Sequence, residues 1–398
     1  MPDITVIADD LTGAADAGVQ LARAGYRTAV FFDASELLAG DLDAVAVDTD
    51  SRTRPAGFAA RRVVEAAHAV RYASIVYKKL DSTLRGNVAA ELEAAFGAAG
   101  RERTIVAPAF PAAGRTTIGG TQLVHGVPVD ETEMRNDPRT PVREAHVPTL
   151  LADAFASVGT LDVENLADPG RVRQILEKSE CVVADAECDA DLEALVRAVP
   201  EPERVLWAGS AGLALALGSV YPGPRAGESC VRRAPVRPVL VVVGSLSGVA
   251  REQVRRLVGE YGEVAVEVGE AGTLEKAVDA ARDVLAERMC AVVHSPARKS
   301  QLGTPVLGPL AEVAALLSRE GCFEGLVLTG GATAIGVARR LGASGIGLAG
   351  EVEVGVPIGA LIGENPYPVV TKAGGFGRAD TLVGAVEALA QGAEEGVP

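Results

Sequence analysis

The chain has 398 residues, 48% of them hydrophobic, 45 glycines and a formal net charge of -15. That length exceeds the usual size of a single core, so two domains are expected, and the acidic balance opposes nucleic acid and anionic membranes as partners. The five cysteines (Cys181, Cys188, Cys230, Cys290, Cys322) are scattered without a Cys-x-x-Cys pair, and the four histidines (His68, His125, His146, His294) show no ligand spacing, which argues against a disulfide framework or a metal centre. With no signal-type start and no apolar run of about 18 residues, the expected location is the cytoplasm.

Residues 4–8 read as a short buried strand that ends in Asp9 and Asp10 and enters a helix through Thr12 and Gly13. Adjacent carboxylates repel each other, so they sit together most readily where a metal, an arginine or a donor-rich ligand compensates; helix capping is the competing explanation. A second strand over 44–47 leads to Asp48-Thr-Asp-Ser-Arg-Thr-Arg54, followed by Pro55 and a helix through Val70. A third, over 74–77, opens onto Lys78-Lys-Leu-Asp-Ser-Thr-Leu-Arg-Gly-Asn87, ahead of a helix over 87–98. A fourth, over 104–106, precedes a Pro/Gly loop that brings in Arg115. In open α/β sheets ligands bind outside the carboxyl ends of the strands. Lys78, Lys79, Arg85 and Arg115 are therefore expected to form a cationic island for a small anion, with Asp81, Ser82 and Thr83 free to bond hydroxyls.

Residues 206–213 look like another strand turning into a helix. The stretch 221–238, dense in Pro, Gly and Arg, reads as a linker. It separates an expected first domain, 1–220, from a second, 239–398. In the second the pattern restarts, with strands over 239–243, 264–268 and 291–294 and helices over 249–261 and 274–287, as expected of a further parallel α/β unit. Glycine turns recur at its strand ends: Gly244-Ser-Leu-Ser-Gly248, Thr329-Gly-Gly-Ala-Thr333 and Lys372-Ala-Gly-Gly-Phe-Gly377. Glycine lets the backbone approach a phosphate closely, and helix N-termini offer oriented N–H donors; such turns also simply close βα units. No Walker-type Gly-Lys dipeptide exists, and no Gly-x-Gly-x-x-Gly follows the first strand of either half.

Five segments together carry a family resemblance. Ala8-Asp-Asp-Leu-Thr-Gly13, Lys79-Leu-Asp-Ser-Thr-Leu-Arg-Gly86, Pro108-Ala-Phe-Pro-Ala-Ala-Gly-Arg115, Gly126-Val-Pro-Val-Asp-Glu-Thr132 with Asp137-Pro-Arg-Thr-Pro-Val142, and Lys372-Ala-Gly-Gly-Phe-Gly377 resemble, in this order, the four-carbon acid sugar kinases. The resemblance implies two α/β domains with mainly parallel sheets, a substrate domain followed by a nucleotide domain, with the active site in the cleft between them. It implies ATP-dependent phosphorylation, with Mg²⁺, of the terminal hydroxyl of threonate, erythronate or an oxo-tetronate. Ser245, Gly330, Gly331, Ala332, Thr333, Gly374 and Gly375 would contact ATP; members commonly carry an acid where this chain has Ala332. Arg52, Lys79 and Arg85 would hold the sugar-acid carboxylate, with Asp9 and Arg115 also among the substrate-binding residues, while Asp10, Asp81, Ser82 and Thr83 bind its hydroxyls. Asp10 and Asp81 are the candidates for the base that takes the acceptor proton, and Asp380 stays open. Two alternatives come from other classes: a non-catalytic sugar-acid sensor, motivated by Ala332, and an NAD(P)-dependent hydroxy-acid dehydrogenase. A homodimer is the default assembly.

Overall fold

The computed structural model describes residues 2–37, 41–226, 234–269, 274–296 and 307–392. The chain divides into two compact units, Met1–Gly227 and Glu228–Pro398. Cys230 and residues 227–233 of the expected linker lie outside the described residues. The described ends of that stretch are fastened to their own units, Gly223 N–H donating to Ala24 O at 2.8 Å and Val236 N–H to Leu389 O at 3.0 Å.

In the first unit β1 (Ile4–Ala8), α1 (Leu11–Arg23), β2 (Thr28–Phe31), β3 (Ala44–Asp48), α2 (Ala56–Val70), β4 (Ile75–Lys79), α3 (Val88–Ala99) and β5 (Arg103–Ala107) follow one another. A small antiparallel insert comes next, β6 (Arg115–Ile118), β7 (Thr121–Val124) and β8 (Val127–Pro128). The unit closes with α4 (Val147–Leu151), β9 (Val158–Leu161), α5 (Pro169–Lys178), β10 (Cys181–Ala184), α6 (Asp189–Ala198), β11 (Val205–Gly209) and α7 (Ala211–Val220). Its main strands all pair in parallel in the order β2-β3-β1-β4-β11-β5-β10-β9. Helices cover both faces, α1 packing on α7 and α2 on α3, so the central strands carry continuous apolar runs instead of an alternating pattern. Trp207 and Tyr77 are fully buried with their polar tips satisfied, Trp207 Nε1 donating to Pro202 O at 3.1 Å and the Tyr77 hydroxyl to Ser210 O.

Strand order locates the ligand end. The connection leaving β1 runs to β2 on one side, whereas the connection leaving β3 passes over β1 to β4 on the other. Right-handed crossovers put those two connections on opposite faces, and the segments after β1, β3 and β4 meet at the resulting switch point.

The second unit contains β12 (Val239–Val243), α8 (Gly248–Tyr261), β13 (Ala265–Glu267), α9 (Leu274–Glu287), β14 (Cys290–His294), α10 (Leu307–Arg319), β15 (Gly325–Thr329), α11 (Gly331–Arg340), β16 (Ala343–Glu353), β17 (Val356–Gly363), β18 (Pro368–Lys372) and α12 (Thr381–Gln391). Its strand order is β13-β14-β12-β15-β18-β17-β16. Five strands pair in parallel, and β16 and β17 form a long antiparallel hairpin on the β18 edge, in keeping with the expected mainly parallel sheet.

Two expectations are corrected here. The third strand runs on through Lys79, so Lys78 and Lys79 belong to β4 and are 1% and 3% exposed; neither lies in the turn beyond it. Arg115 opens strand β6 instead of sitting in an irregular loop.

Candidate active site

The β1 end is organised around one arginine. Arg52, from the β3–α2 segment, donates from Nε to Asp9 Oδ2 at 2.8 Å, from Nη2 to Asp9 Oδ1 at 2.8 Å, and from Nη1 to Asp10 Oδ2 at 2.6 Å. The compensation demanded by two adjacent carboxylates is thus an arginine. Asp10 also caps α1, its Oδ1 accepting from Gly13 N–H at 2.7 Å, so it combines the capping and the site explanations. A Cβ on Gly13 would lie 2.9 Å from Asp10 Oδ1 and 3.5 Å from Lys79 Nζ, so the two strand ends converge here.

The β4 end is organised around Asp81. Its carboxylate accepts from Arg85 Nε at 2.8 Å, from Arg85 Nη2 at 3.0 Å and from the Thr83 hydroxyl, and Arg52 Nη2 stands 3.9 Å away. The Thr83 hydroxyl is thus engaged within its own loop, donating to Asp81 and accepting from Arg85 Nε at 3.1 Å. The Ser82 hydroxyl has no partner among the described residues. Two non-glycine residues adopt positive φ in these loops, Asp50 at 46° and Leu84 at 56°. Gly86, at φ 96°, faces Asp9 so closely that a Cβ would lie 3.1 Å from its Oδ2.

Among the described residues two of the four cations of the expected island, Lys78 and Arg85, are paired with carboxylates. Lys78 pairs with buried Glu91 at 2.9 Å, Arg52 with Asp9 and Asp10, and Arg85 with Asp81. Lys79 and Arg115 are without a carboxylate partner among the described residues; Lys79 Nζ donates to Leu80 O at 2.8 Å and Arg115 Nη1 to Ala113 O, with Arg115 Nε buried and unbonded.

Environment separates the carboxylates. Burial raises the pKa of Asp10, and the Asp9 charge adds to that; Arg52, the Gly13 N–H and Lys79 oppose it without cancelling it. Burial acts the same way on Asp9, but there Arg52, by charge and by hydrogen bonding, together with Lys78, holds the carboxyl below its ordinary value. Burial is likewise outweighed at Asp81, which Arg52 and Arg85 hold far below the carboxylate range. Asp48, at the end of β3, is 1% exposed, accepts only from Asp50 N–H at 2.8 Å and leaves Oδ2 unbonded; burial pushes its carboxyl well up. Asp10 stands apart as the raised carboxyl with an open edge, its side chain 30% exposed.

Residues outside the expected set hold these loops in place. Gln122, fully buried on β7, donates from Nε2 to Ser82 O at 2.8 Å and Pro108 O at 3.4 Å, and its Oε1 accepts from the Thr117 hydroxyl at 2.7 Å. Asp185, just past β10, accepts from the backbone N–H groups of Gly119 and Gly120 at 2.7 and 2.8 Å and so clamps the β6–β7 turn. A lone Gln or Asp carried no motif that would mark it in the sequence.

In the second unit the three glycine turns meet. A Cβ on Gly374 would lie 2.0 Å from Ser245 Oγ, one on Gly244 2.1 Å from Thr333 Oγ1, and one on Gly330 3.4 Å from Thr333 Oγ1 and 3.9 Å from Ser245 Cβ. Gly330, at φ 99°, precedes α11 and donates from its N–H to Lys372 O at 2.8 Å. Ala332 and Gly375 are exposed, Gly331 is half-buried and Thr333 is buried. Ser245 also lines a cavity of about 320 Å³ with Val243, Glu267, His294 and Ser295. Asp380 is 67% exposed in its side chain and pairs with Arg256 at 3.0 Å. Among the described residues no group of three or more His, Cys, Asp or Glu is placed to hold a metal ion, and no helix is long and apolar enough to cross a membrane.

Family models match both halves, one described as a sugar-binding N-terminal domain over residues 4–217 and one as a nucleotide-binding C-terminal domain over 240–382. The chain is 37% identical to the D-threonate kinase of Bordetella bronchiseptica, covering 98% of each chain, and 34% identical to the D-threonate kinase of Salmonella typhimurium, covering 96% of this chain and 97% of that one. This chain belongs to the four-carbon acid sugar kinases. A Salmonella typhimurium LT2 protein solved as a putative tRNA synthase shares the fold with a TM-score of 0.83 at 25% identity, over 96% of this chain and 98% of that one. The four-carbon acid sugar kinase assignment sets aside the sensor and dehydrogenase alternatives: the chain is a kinase.

Proposed function

We propose that this kinase transfers the γ-phosphoryl group of ATP to the terminal hydroxyl of a four-carbon sugar acid, with D-threonate the first candidate because both relatives described above are named for it. The observation that carries the reading is the division of labour among the carboxylates at the β1 and β4 ends. Asp10, raised and partly open, is suited to accept a proton, whereas Asp81, held ionised by two arginines, is not. Asp10 takes the proton of the acceptor hydroxyl as its oxygen attacks the γ-phosphorus; the new O–P bond forms, the bond to the β-phosphate oxygen breaks, and ADP leaves.

Lys79 and Arg85 bind the substrate carboxylate. Lys79 lacks a carboxylate partner, and Arg85 keeps Nη1 unbonded among the described residues. Arg52, already committed to Asp9 and Asp10, orients those two side chains and offers its remaining N–H groups to the ligand. Asp9 completes the clamp on Arg52, Ser82 bonds a hydroxyl, and Arg115 lies on the strand that Gln122 ties to the Ser82 loop.

On the nucleotide side Ser245, the Gly330–Thr333 turn and Gly374 with Gly375 receive the phosphates through backbone N–H groups and hydroxyls. Those donors suit phosphate oxygens and form no carboxylate cage, so Mg²⁺ arrives bound to the ATP phosphates and supplies charge neutralisation there. Ala332 leaves the turn without an acid for the metal or ribose. A homodimer in the cytoplasm is the setting consistent with this reading.

The deciding experiment is a coupled ADP-release assay with Mg-ATP across D- and L-threonate, D- and L-erythronate and the oxo-tetronates. Turnover with one acid and silence with the others names the substrate. Silence across the panel, with thermal shifts still produced by a sugar acid, would remove ATP as the donor.

A further inference from the structure

Lys372 is the last residue of β18, 3% exposed, and its side chain is not used by any role assigned above. Its ammonium donates to the Ala373 carbonyl at 2.8 Å and has no carboxylate partner among the described residues. The acid that influences it most, Glu353, is itself engaged by Arg378 at 3.1 Å and by the Thr381 hydroxyl. A buried cation without a counter-charge is costly, and a methionine would fill the same space at no such cost. Burial accordingly drives the lysine down to about 8, with Glu353 opposing.

Position says what the missing counter-charge is. The backbone carbonyl of Lys372 holds the Gly330 N–H at 2.8 Å, and two residues further on Gly374 lies directly against Ser245, whose Oγ would be 2.0 Å from any Cβ there. The lysine is therefore anchored to all three glycine turns. Apart from Lys372 itself those turns supply only N–H dipoles and hydroxyls, and the chain lacks the Gly-Lys of a P-loop, where the lysine cradles the terminal phosphates.

We propose that the Lys372 ammonium is the fixed positive charge that binds the phosphoryl groups of the nucleotide, taking at the end of β18 the part a P-loop lysine takes at the start of a helix. The inference rests on the reading that ATP phosphates occupy these turns. Without nucleotide the ammonium caps Ala373; with nucleotide it turns onto the phosphate oxygens.

The test is calorimetric binding of ATP and adenosine to the full chain and to Lys372→Met and Lys372→Arg, with melting temperatures recorded for each. The expected result is a loss of ATP affinity of about 30-fold or more in Lys372→Met, adenosine binding within about twofold of wild type, and partial recovery of ATP affinity in Lys372→Arg, which keeps the charge. ATP binding to folded Lys372→Met within about threefold of wild type overturns the inference and leaves the kinase reading intact, as does a matching loss for adenosine and ATP. Failure of the wild type itself to bind ATP overturns both.

Discussion

Lys79 and Lys372 are counterparts in the two units. Each is the final residue of an internal strand, each is 3% exposed, and each ammonium donates at 2.8 Å to the carbonyl of the following residue. Neither has a carboxylate partner among the described residues, although acids outnumber bases by 53 to 38 in the whole chain. Both units thus carry, at the carboxyl end of a strand, a buried cation without a paired carboxylate among the described residues.

A cation kept without a partner destabilises the empty protein. Lys372→Met should therefore raise the melting temperature at neutral pH, by about 2–4 °C for each kcal/mol relieved. The sign follows from the lowered pKa. Between about 8 and the ordinary 10.5 the unfolded chain holds a proton the folded one has released, so wild-type stability climbs with pH across that window. The advantage of the methionine variant should shrink as scans move from pH 7 to pH 10; an advantage that stays constant would mean the lysine is not strained in the folded state.

Asp10→Asn separates capping from catalysis. Asparagine caps a helix as well as aspartate, and Arg52 keeps both oxygens of Asp9, so the melting temperature should move little while kcat falls by about 10²–10⁴. In the wild type kcat/KM should rise with pH through the Asp10 ionisation, at a pH above the ordinary aspartate value of 3.8, and that acid limb should vanish in the variant. Equal losses of stability and activity would make Asp10 a cap alone.

Asp48→Asn should stabilise. Its raised pKa means that the folded protein holds a proton the unfolded chain has lost, so wild-type stability declines as pH rises from 3.8 toward the folded value. Asparagine keeps the bond from Asp50 N–H and cannot ionise. The gap in melting temperature between variant and wild type should be small near pH 4 and widen by pH 7; a gap that narrows would show that Asp48 is ionised and partnered.

Arg52→Lys is not conservative. A lysine can reach one carboxylate where the arginine spans Asp9 twice and Asp10 once, and a buried Asp9 left without its fork should cost about 3–5 kcal/mol in urea unfolding. The same variant should lose sugar-acid turnover, because Asp9 and Asp10 then separate.

Much of this was legible in the sequence. The strands expected over 4–8, 44–47, 104–106 and 239–243 carry apolar runs of the kind a doubly covered sheet produces, and all four are strands of the structure. Which charges pair was not legible: Asp9 and Arg52 are 43 residues apart, and Lys78 finds Glu91 across the α3 turn. Charge also hid the true end of β4, since two consecutive lysines look like a solvated turn until their ammonium groups are seen bonded to the chain. The β16–β17 hairpin escaped because Ser-Gly-Ile-Gly-Leu-Ala-Gly offers glycines where strands ordinarily show β-branched residues. Gln122 and Asp185 act through long-range bonds to backbone groups, which leave no local pattern.

Leu84 holds a left-handed backbone that disfavours a leucine by about 1–2 kcal/mol. Its side chain is 4% exposed, and burying it contributes about 1.5–3 kcal/mol, enough to keep the twist in place. The next residue, Arg85, owes its aim at Asp81 to that balance. Redesign guided by backbone preference alone would write glycine or asparagine at position 84 and register an improvement. The loop would then be free to swing, and a more comfortable chain would be a worse receptor.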